Sequence, residues 1–278
     1  MRCSSRWSNE FCRALNEMNR MTSADPYLRD VLARYAVDTG PNSIARTSAQ
    51  TLMPALEEWA GQYLVDVQFS GSFAKGTAVR GGTDVDLFIC LTSTTPDSLA
   101  RIYSTLFFKM QGLQYQGQSL QAKRQNVSIG IVLGGAQIDL VPGRRQDQWR
   151  EDHSLYKNRA ATWTKTNVNS HIRTVQQSNR LEEIRVLKIW RNRRGFSFPS
   201  FYLELSAIEA LKGKRNGDIS NNVVAVLQYL QSTWGITRFV DPANSANVIS
   251  DDLSPSEKGA VAAAAAAALQ GNWEALVA

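Results

Sequence analysis

Apolar residues recur every three or four positions near both ends of the chain, and this spacing predicts helices there. In the middle, apolar and β-branched residues form short runs bounded by glycine, which predicts strands. Gly134-Gly135 separates two such runs and indicates a β-hairpin. The pattern therefore predicts an α+β fold. The predicted strands are 64–69, 84–91, 127–133 and 136–141, and the main predicted helices are 25–63 with a break at 40–43, a helix that begins near Pro96, 179–193, 201–211, 221–233 and an alanine-rich helix after Ser254.

One glycine-rich stretch, residues 69–91 (FSGSFAKGTAVRGGTDVDLFICL), carries most of the candidate chemistry. Gly71-Ser72 follows the first predicted strand, where a sharp turn can offer backbone N–H groups and a hydroxyl to a phosphate. Asp84 and Asp86 open the next strand, and because strand side chains alternate, both project to the same face. Two such carboxylates repel each other unless a cation lies between them. Oxygen ligands of this kind suit Mg²⁺ bound together with substrate phosphates.

A third carboxylate, Asp139, lies in the second strand of the predicted hairpin. It points away from the face of its apolar neighbours Ile138 and Leu140. An acidic side chain within so apolar a strand is unusual for a packing residue. The residue alone leaves two interpretations open: an edge-strand aspartate that faces water, or a functional carboxylate beside Asp84 and Asp86.

Together these motifs resemble the signature of the DNA-polymerase-β-type nucleotidyltransferase superfamily. The sequences GSFAKGT and TDVDLF carry the resemblance, and Asp-Leu-Val-Pro at 139–142 is similar to the superfamily strand that holds the third carboxylate. Within the superfamily, the chain looks most like the branch of archaeal CCA-adding enzymes, oligoadenylate synthases, cyclic GMP-AMP synthase and bacterial cyclic-oligonucleotide synthases. The resemblance implies two lobes: a mixed-sheet catalytic lobe at 25–175 and a helical nucleotide-binding lobe at 176–278. Residues 143–175 would leave the sheet and link the lobes, and residues 1–24 form an extension with no assigned function.

The same resemblance assigns nucleotide-binding residues in the helical lobe. The segments VLKIWR and FPSFYLEL look like the core of that lobe, where a lysine and a serine hold the triphosphate and an aromatic ring stacks on the base. Mapped onto this chain, the three are Lys188, Ser200 and Phe201, with Tyr202 as the alternative ring. Lysine is a point charge for phosphate, and a helix N-terminus favours anions. By spacing alone, the helix 179–193 has a solvated basic face, formed by Arg185, Lys188, Arg191 and Arg194.

The resemblance implies an enzyme that transfers a nucleoside monophosphate from an NTP to a hydroxyl and releases pyrophosphate. Gly71 and Ser72 would grip the phosphates, while Asp84 and Asp86 would hold one Mg²⁺ on the triphosphate. Asp139 would join them around a second Mg²⁺ that activates the attacking hydroxyl, with Mn²⁺ as an alternative ion.

Three acceptors are consistent with these residues: another nucleotide, which gives a cyclic or linear oligonucleotide messenger; the 3′ end of tRNA or another RNA; or a small molecule. Archaeal-type tRNA enzymes of this branch are longer, with further domains that measure the tRNA, so we expect a signalling synthase of the anti-phage type. A catalytically inactive nucleotide- or RNA-binding module is the alternative from another class, but the presence of all three carboxylates argues against it.

The net charge indicates which kind of partner the protein binds, and the cysteines indicate the compartment in which it works. A net charge of +6 favours polyanionic partners such as nucleotides, and a regulatory protein or RNA is a further candidate. No run of about 18 apolar residues is present, so no membrane span is expected. Cys3, Cys12 and Cys90 have no metal-type spacing, and a reducing cytoplasm fits them best.

Overall fold

The computed structural model describes residues 24–81 and 84–277. The chain divides into a sheet unit, residues 37–177 and 240–248, and a helical unit that ends at Ala36, resumes at 178–239 and continues from Ile249. The predicted α+β class is confirmed. The unit boundaries differ from the predicted lobes in three segments: residues 25–36 belong to the helical unit, and residues 176–177 and 240–248 belong to the sheet unit. Of the predicted extension, residues 1–23 lie outside the described part of the chain.

Within the described residues, the sheet unit is built on a seven-stranded mixed sheet with the order β1-β2-β7-β6-β5, to which β8 and β9 are added beside β7. The central pair, β2 and β7, is parallel, and the other pairs are antiparallel. The strands are β1 Leu64–Phe69, β2 Val85–Leu91, β5 Lys123–Arg124, β6 Ile129–Leu133, β7 Ala136–Arg145, β8 His153–Lys157 and β9 Thr162–Thr166, with a separate small pair, β3 Gln114–Tyr115 and β4 Gln118–Ser119. The helices of this unit are α2 Ile44–Ala60, α3 Gly71–Lys75, α4 Leu99–Gln111 and α5 Val168–Gln176.

Alternation along β2 divides its side chains between two environments. Leu87 and Ile89 point into the main core, where they pack with α2 and α4. Phe88 and Cys90 pack on the opposite side with Leu155 of β8. The carboxylate of Asp86 therefore lies on the face away from the main core, as the strand pattern predicted.

The predicted hairpin forms, and Gly134 and Gly135 adopt the positive φ angles of 57° and 85° that its turn requires. The predicted departure from the sheet at Gly143 is wrong. β7 continues to Arg145, and Gly143 pairs with Cys90. Any side chain at position 143 would overlap the ring of Phe88. Part of the expected linking segment instead forms the hairpin of β8 and β9.

The helical unit is closed around α6, whose buried residues occupy almost every position from Glu183 to Arg191. Asp25, at the start of the first helix, accepts hydrogen bonds from the backbone N–H groups of Ile219 and Ser220 and so caps a later helix. The predicted alanine-rich helix after Ser254 forms, and it begins with a capping box of Ser254 and Glu257. The helices are α1 Asp25–Arg34, α6 Leu181–Arg193, α7 Ser200–Ala210, α8 Ile219–Ser232, α9 Pro255–Gln270 and α10 Trp273–Val277.

A short strand pair, β10 Val240–Asp241 and β11 Asn244–Val248, follows α8 in the chain and belongs to the sheet unit. The described part of the chain contains no helix with the length and apolar character needed to cross a membrane.

Candidate active site

Asp86 and Asp139 are direct partners on the parallel strands β2 and β7. Directly paired residues project to the same face of a sheet, so their carboxylates share the face away from the main core. Asp84 lies two residues before Asp86, just ahead of β2, and is exposed. Val85, the residue after Asp84, pairs with Ile138, the residue before Asp139. The three predicted carboxylates are therefore neighbours at one edge of the sheet.

The predicted Gly-Ser turn lies against this group. Gly71 begins the short helix α3 with a φ of +55°, and a Cβ atom there would overlap the carboxylate of Asp86. The Ser70 N–H donates to the Asp86 carbonyl over 2.8 Å, which fixes the turn to β2. Ser72 follows as the second residue of α3 and is half-buried. Phosphate binding by Gly71 and Ser72 stays a prediction.

Asp139 is held by two polar side chains that the sequence reasoning missed. The Gln125 amide donates to Oδ1 over 2.8 Å, and the Ser128 hydroxyl lies 3.3 Å from Oδ2. Burial raises the pKa of the Asp139 carboxyl, Asp84 raises it further, and the two hydrogen bonds oppose this change only in part. The signal that could have revealed Gln125 and Ser128 is their place directly before the apolar strand that pairs with Asp139.

The donor chemistry of this group fits a hard divalent cation, which would reduce the repulsion between Asp84 and Asp139. However, no three His, Cys, Asp or Glu side chains among residues 24–81 and 84–277 are placed to hold one ion together. The predicted metal ligands therefore stay a prediction.

A cavity of about 800 Å³ opens beside Asp84 within the sheet unit. Its lining combines charged and polar groups with apolar ones, namely Asp38, Arg80, Asp84, Gln137, Ile44 and Val85. Ligand pockets of nucleotide size fall in this range of volume. The cavity thus offers space next to the outermost of the three carboxylates.

In the helical unit, Lys188 is buried, and the predicted solvated basic face is wrong at two of its positions. The Nζ atom of Lys188 lies 2.7 Å from Oε1 of Glu204 on α7. The side chain of Glu204 has no exposed surface. Arg191 is also buried, with 8% of its surface exposed. Burial of these two cations is possible because both have partners. Glu204 on α7 provides a carboxylate for Lys188, and Arg191 donates to oxygen acceptors at the start of α7. Glu204, within the apolar segment FYLEL, was the signal in the sequence.

Ser200 begins α7 as predicted, and its hydroxyl accepts a hydrogen bond from Arg191 Nη1 over 3.1 Å. The same guanidinium donates to the Phe198 carbonyl over 2.9 Å. Phe201 is half-buried. Tyr202, the alternative stacking ring, is wrong for that role because it is fully buried and stacks on Trp234 with ring centroids 4.7 Å apart.

Both histidines have structural partners. His153 Nε2 lies 3.0 Å from the thiol of Cys90 in the interior of the sheet unit. His171 Nε2 lies 2.7 Å from Oδ1 of Asp241 and links α5 to the β10–β11 pair. These contacts give both residues a structural role.

No family model matches the chain. It is similar to a cyclic AMP-AMP-AMP synthase of Escherichia coli (strain MS 115-1), with 27% identity over 206 residues. This alignment covers 66% of the chain and 63% of the relative, so the chain spans less than two thirds of the protein it matches.

Two solved structures share the fold. Over 91% of this chain and 92% of the other, the Bradyrhizobium diazoefficiens CD-NTase CdnG in complex with GTP superposes with a TM-score of 0.75 at 14% identity. The chain has the CD-NTase fold. E. coli MS115-1 CdnC, solved in complex with HORMA-deltaN, matches with a TM-score of 0.69 at 20% identity over 87% of this chain and 88% of that one. The resemblance to bacterial CD-NTases in the motifs is therefore confirmed.

Proposed function

We propose that the chain is a nucleotidyltransferase that moves a nucleoside monophosphate from an NTP to the hydroxyl of another nucleotide. Its product would be a cyclic or linear oligonucleotide second messenger for anti-phage signalling. The observation that carries the proposal is the direct pairing of Asp86 with Asp139, beside Asp84, within the CD-NTase fold. Similarity to a cyclic AMP-AMP-AMP synthase supports this product class and makes ATP the first substrate to test.

In the proposed reaction, Asp84 and Asp86 would hold a divalent cation that binds the triphosphate end of the NTP, and Asp139 would direct the acceptor hydroxyl. The Gly71 turn approaches the same phosphates with its backbone. Bound Mg²⁺ or Mn²⁺ would neutralise phosphate charge and lower the pKa of the attacking hydroxyl. The contribution of the protein is mainly to position the reactants and to place charge where it develops in the transition state.

We assign NTP binding in the helical unit to Ser200 and Phe201 at the N-terminus of α7, and to Lys188. Ser200 already has a cationic neighbour in Arg191. Lys188 faces Glu204, so binding of a phosphate by Lys188 requires that the phosphate compete with this carboxylate. The structure of CdnC with HORMA-deltaN supports a protein regulator of this chain over RNA. A cytoplasmic location is part of the proposal because NTPs are cytoplasmic substrates.

The test is incubation with all four NTPs and Mg²⁺ or Mn²⁺, followed by mass analysis of the products and measurement of pyrophosphate. We expect a phosphatase-resistant oligonucleotide from the native chain and no pyrophosphate from the double variant Asp84→Asn, Asp86→Asn. Asp66→Asn, an exposed carboxylate on β1, is the matched control and should retain activity.

Other outcomes would select the alternatives. With radiolabelled NTPs, label found only on added RNA would indicate an RNA 3′-end nucleotidyltransferase. Label on a small-molecule acceptor would indicate a small-molecule nucleotidyltransferase. No NTP consumption with either ion would indicate an inactive binding module, and native turnover in the double variant would overturn the carboxylate mechanism.

A further inference from the structure

The carboxylate of Asp139 is held at both of its oxygens by one short turn. Gln125 donates its amide to Oδ1 over 2.8 Å. The Ser128 hydroxyl lies 3.3 Å from Oδ2 and 2.9 Å from the amide oxygen of Gln125. The three side chains therefore lie within hydrogen-bonding distance of one another, and the single hydroxyl proton of Ser128 is shared between the Gln125 amide oxygen and the Asp139 carboxylate. Ser128 is buried, with 5% of its surface exposed, and Gln125 and Asp139 are half-buried.

The turn that carries these donors is itself fixed to the core. The Gln125 N–H donates to the Ser128 carbonyl over 3.0 Å. The hydroxyl of Tyr103 on α4 lies 2.7 Å from the Gln125 carbonyl and 3.1 Å from the Ser128 carbonyl. Tyr103 is buried in the main core. The position of the two donors is thus set by the sheet and its covering helix, and not by a mobile surface loop.

Gly130 leaves the space that this contact needs. It pairs with Asp139 across β6 and β7. A Cβ atom at Gly130 would lie 2.7 Å from Nε2 of Gln125 and 3.3 Å from Oδ1 of Asp139. Even an alanine would therefore push the Gln125 amide away from the carboxylate.

We propose that Gln125 and Ser128 are positioning residues, which orient Asp139 on the face it shares with Asp86 so that its remaining lone pairs are available to a divalent cation. A carboxylate offers about four lone-pair sites, and the two donors occupy only one on each oxygen. Without them, repulsion from Asp84 would turn Asp139 away. Partners of metal-binding side chains commonly change metal affinity or activity 10- to 100-fold. The inference rests on the proposed function.

The first test measures Mn²⁺ binding to the full chain by electron paramagnetic resonance. No NTP is added, so the result does not depend on turnover. For Gln125→Ala we expect Mn²⁺ affinity to fall about tenfold, and for Gln125→Glu, which replaces the donor by an acceptor, at least as much. Gln121→Ala is the matched control, an exposed glutamine just before the same turn, and its affinity should equal that of the native chain. Unchanged affinity in both Gln125 variants would overturn the inference.

The second test separates positioning from stability. Gly130→Ala keeps both donors but displaces the amide, so it should weaken Mn²⁺ binding in the same way, whereas Gly235→Ala, with open space around it, should not. In turnover assays, Gln125→Ala should raise the Mg²⁺ concentration for half-maximal rate about tenfold, and saturating Mg²⁺ should restore the rate to within about threefold of native.

The two proposals fail in different ways. A native chain that binds Mn²⁺ but consumes no NTP contradicts the proposed function, and the Gln125 variants still decide the positioning role. An active native chain with full Mn²⁺ affinity in the Gln125 variants contradicts the positioning role alone. A native chain that binds no Mn²⁺ contradicts both.

Discussion

The backbone of Gly71 lies directly against the carboxylate of Asp86. Two properties of position 71 depend on glycine: its φ of +55° lies in the left-handed region, and a Cβ atom would occupy the place of Oδ2 of Asp86. The Gly-Ser motif and the Asp-x-Asp motif are thus joined by a steric contact. This contact explains why a glycine is needed at the first position of the turn.

Gly71→Ala should therefore lower activity through its steric overlap with Asp86, and a control variant can separate this effect from backbone strain. Gly61 has a similar φ of +53° but nothing within 4 Å of its would-be Cβ, so Gly61→Ala is the matched control. Both glycines have a positive φ that residues with a side chain rarely adopt, so both substitutions should lower stability. Only Gly71→Ala should lower NTP turnover, by about 100-fold, because it displaces the carboxylate of Asp86, which is proposed to be catalytic. Equal activities in the two variants, with stability measured by urea unfolding, would contradict this account.

The ion pair of Lys188 and Glu204 predicts a large effect on stability. Both side chains are buried, so Glu204→Gln leaves a buried ammonium opposite a neutral group and should cost about 3–5 kcal/mol of unfolding free energy. The pair of Lys212 and Glu209, with 69% and 40% of the side chains exposed, is the control. Glu209→Gln should cost less than about 1 kcal/mol. Similar losses of unfolding free energy in Glu204→Gln and Glu209→Gln would show that burial of the Lys188–Glu204 pair adds no cost.

A double variant then separates stability from nucleotide binding. Lys188→Met with Glu204→Leu removes both buried charges and should recover most of the lost stability, because apolar residues of similar size often replace a buried ion pair without loss. If Lys188 contacts the triphosphate, this stable double variant should bind ATP more weakly than the native chain does. Native ATP affinity measured by calorimetry would limit Lys188 to a structural role.

Much of the sheet unit could be predicted from local sequence. Strand alternation predicted that Asp84 and Asp86 share one face of their strand, and the Gly134-Gly135 turn predicted the hairpin that carries Asp139. The direct pairing of Asp86 with Asp139 could not be predicted from the sequence pattern, because it depends on the register of two strands that are distant in the chain. Gln125 and Ser128 were missed for the same reason, since a polar residue before a strand indicates a site only when its partner is known.

The helical unit shows where periodicity misleads. The spacing of Arg185, Lys188 and Arg191 is that of an exposed basic stripe, yet two of the three are buried. Spacing identifies a face of a helix but not what covers it. Here the covering helix α7 brings Glu204 to Lys188 and the acceptors Ser200 and Phe198 to Arg191.

Cys90 should resist modification in the folded chain. Its side chain is buried, and burial raises the pKa of the thiol, an effect that Arg145 only partly offsets. Since the thiolate is the reactive form, iodoacetamide at pH 8 should label Cys90 in urea but not in buffer, as measured by peptide mass spectrometry. The double variant Cys3→Ser, Cys12→Ser removes the other thiols. Fast labelling in buffer would show that the strand opens readily.

The pH dependence of stability should distinguish Asp139 from an ordinary paired carboxylate. Burial and the charge of Asp84 raise the pKa of Asp139 above its usual 3.8. As pH rises above 3.8, the unfolded chain therefore loses this proton more readily than the folded chain, and the ionised carboxyl destabilises the fold. At pH 7 in EDTA, Asp139→Asn should melt at a higher temperature than the native chain while it has no activity. The difference should shrink as pH falls toward 4, and Mg²⁺ should reduce it by stabilising only the native chain.

Asp152 provides the control of opposite sign for that experiment. A hydrogen bond from Asn167 lowers the pKa of its carboxyl, partial burial opposes this shift, and Lys165 lowers the pKa further. Its contribution to stability is therefore present above pH 3.8 and is lost as pH falls through the lowered pKa. Asp152→Asn should melt below the native chain at pH 7 and match it in strong acid. If Asp139→Asn also melted below the native chain at pH 7 in EDTA, the carboxyl would be stabilised by its surroundings, and the repulsion within the carboxylate group would be absent.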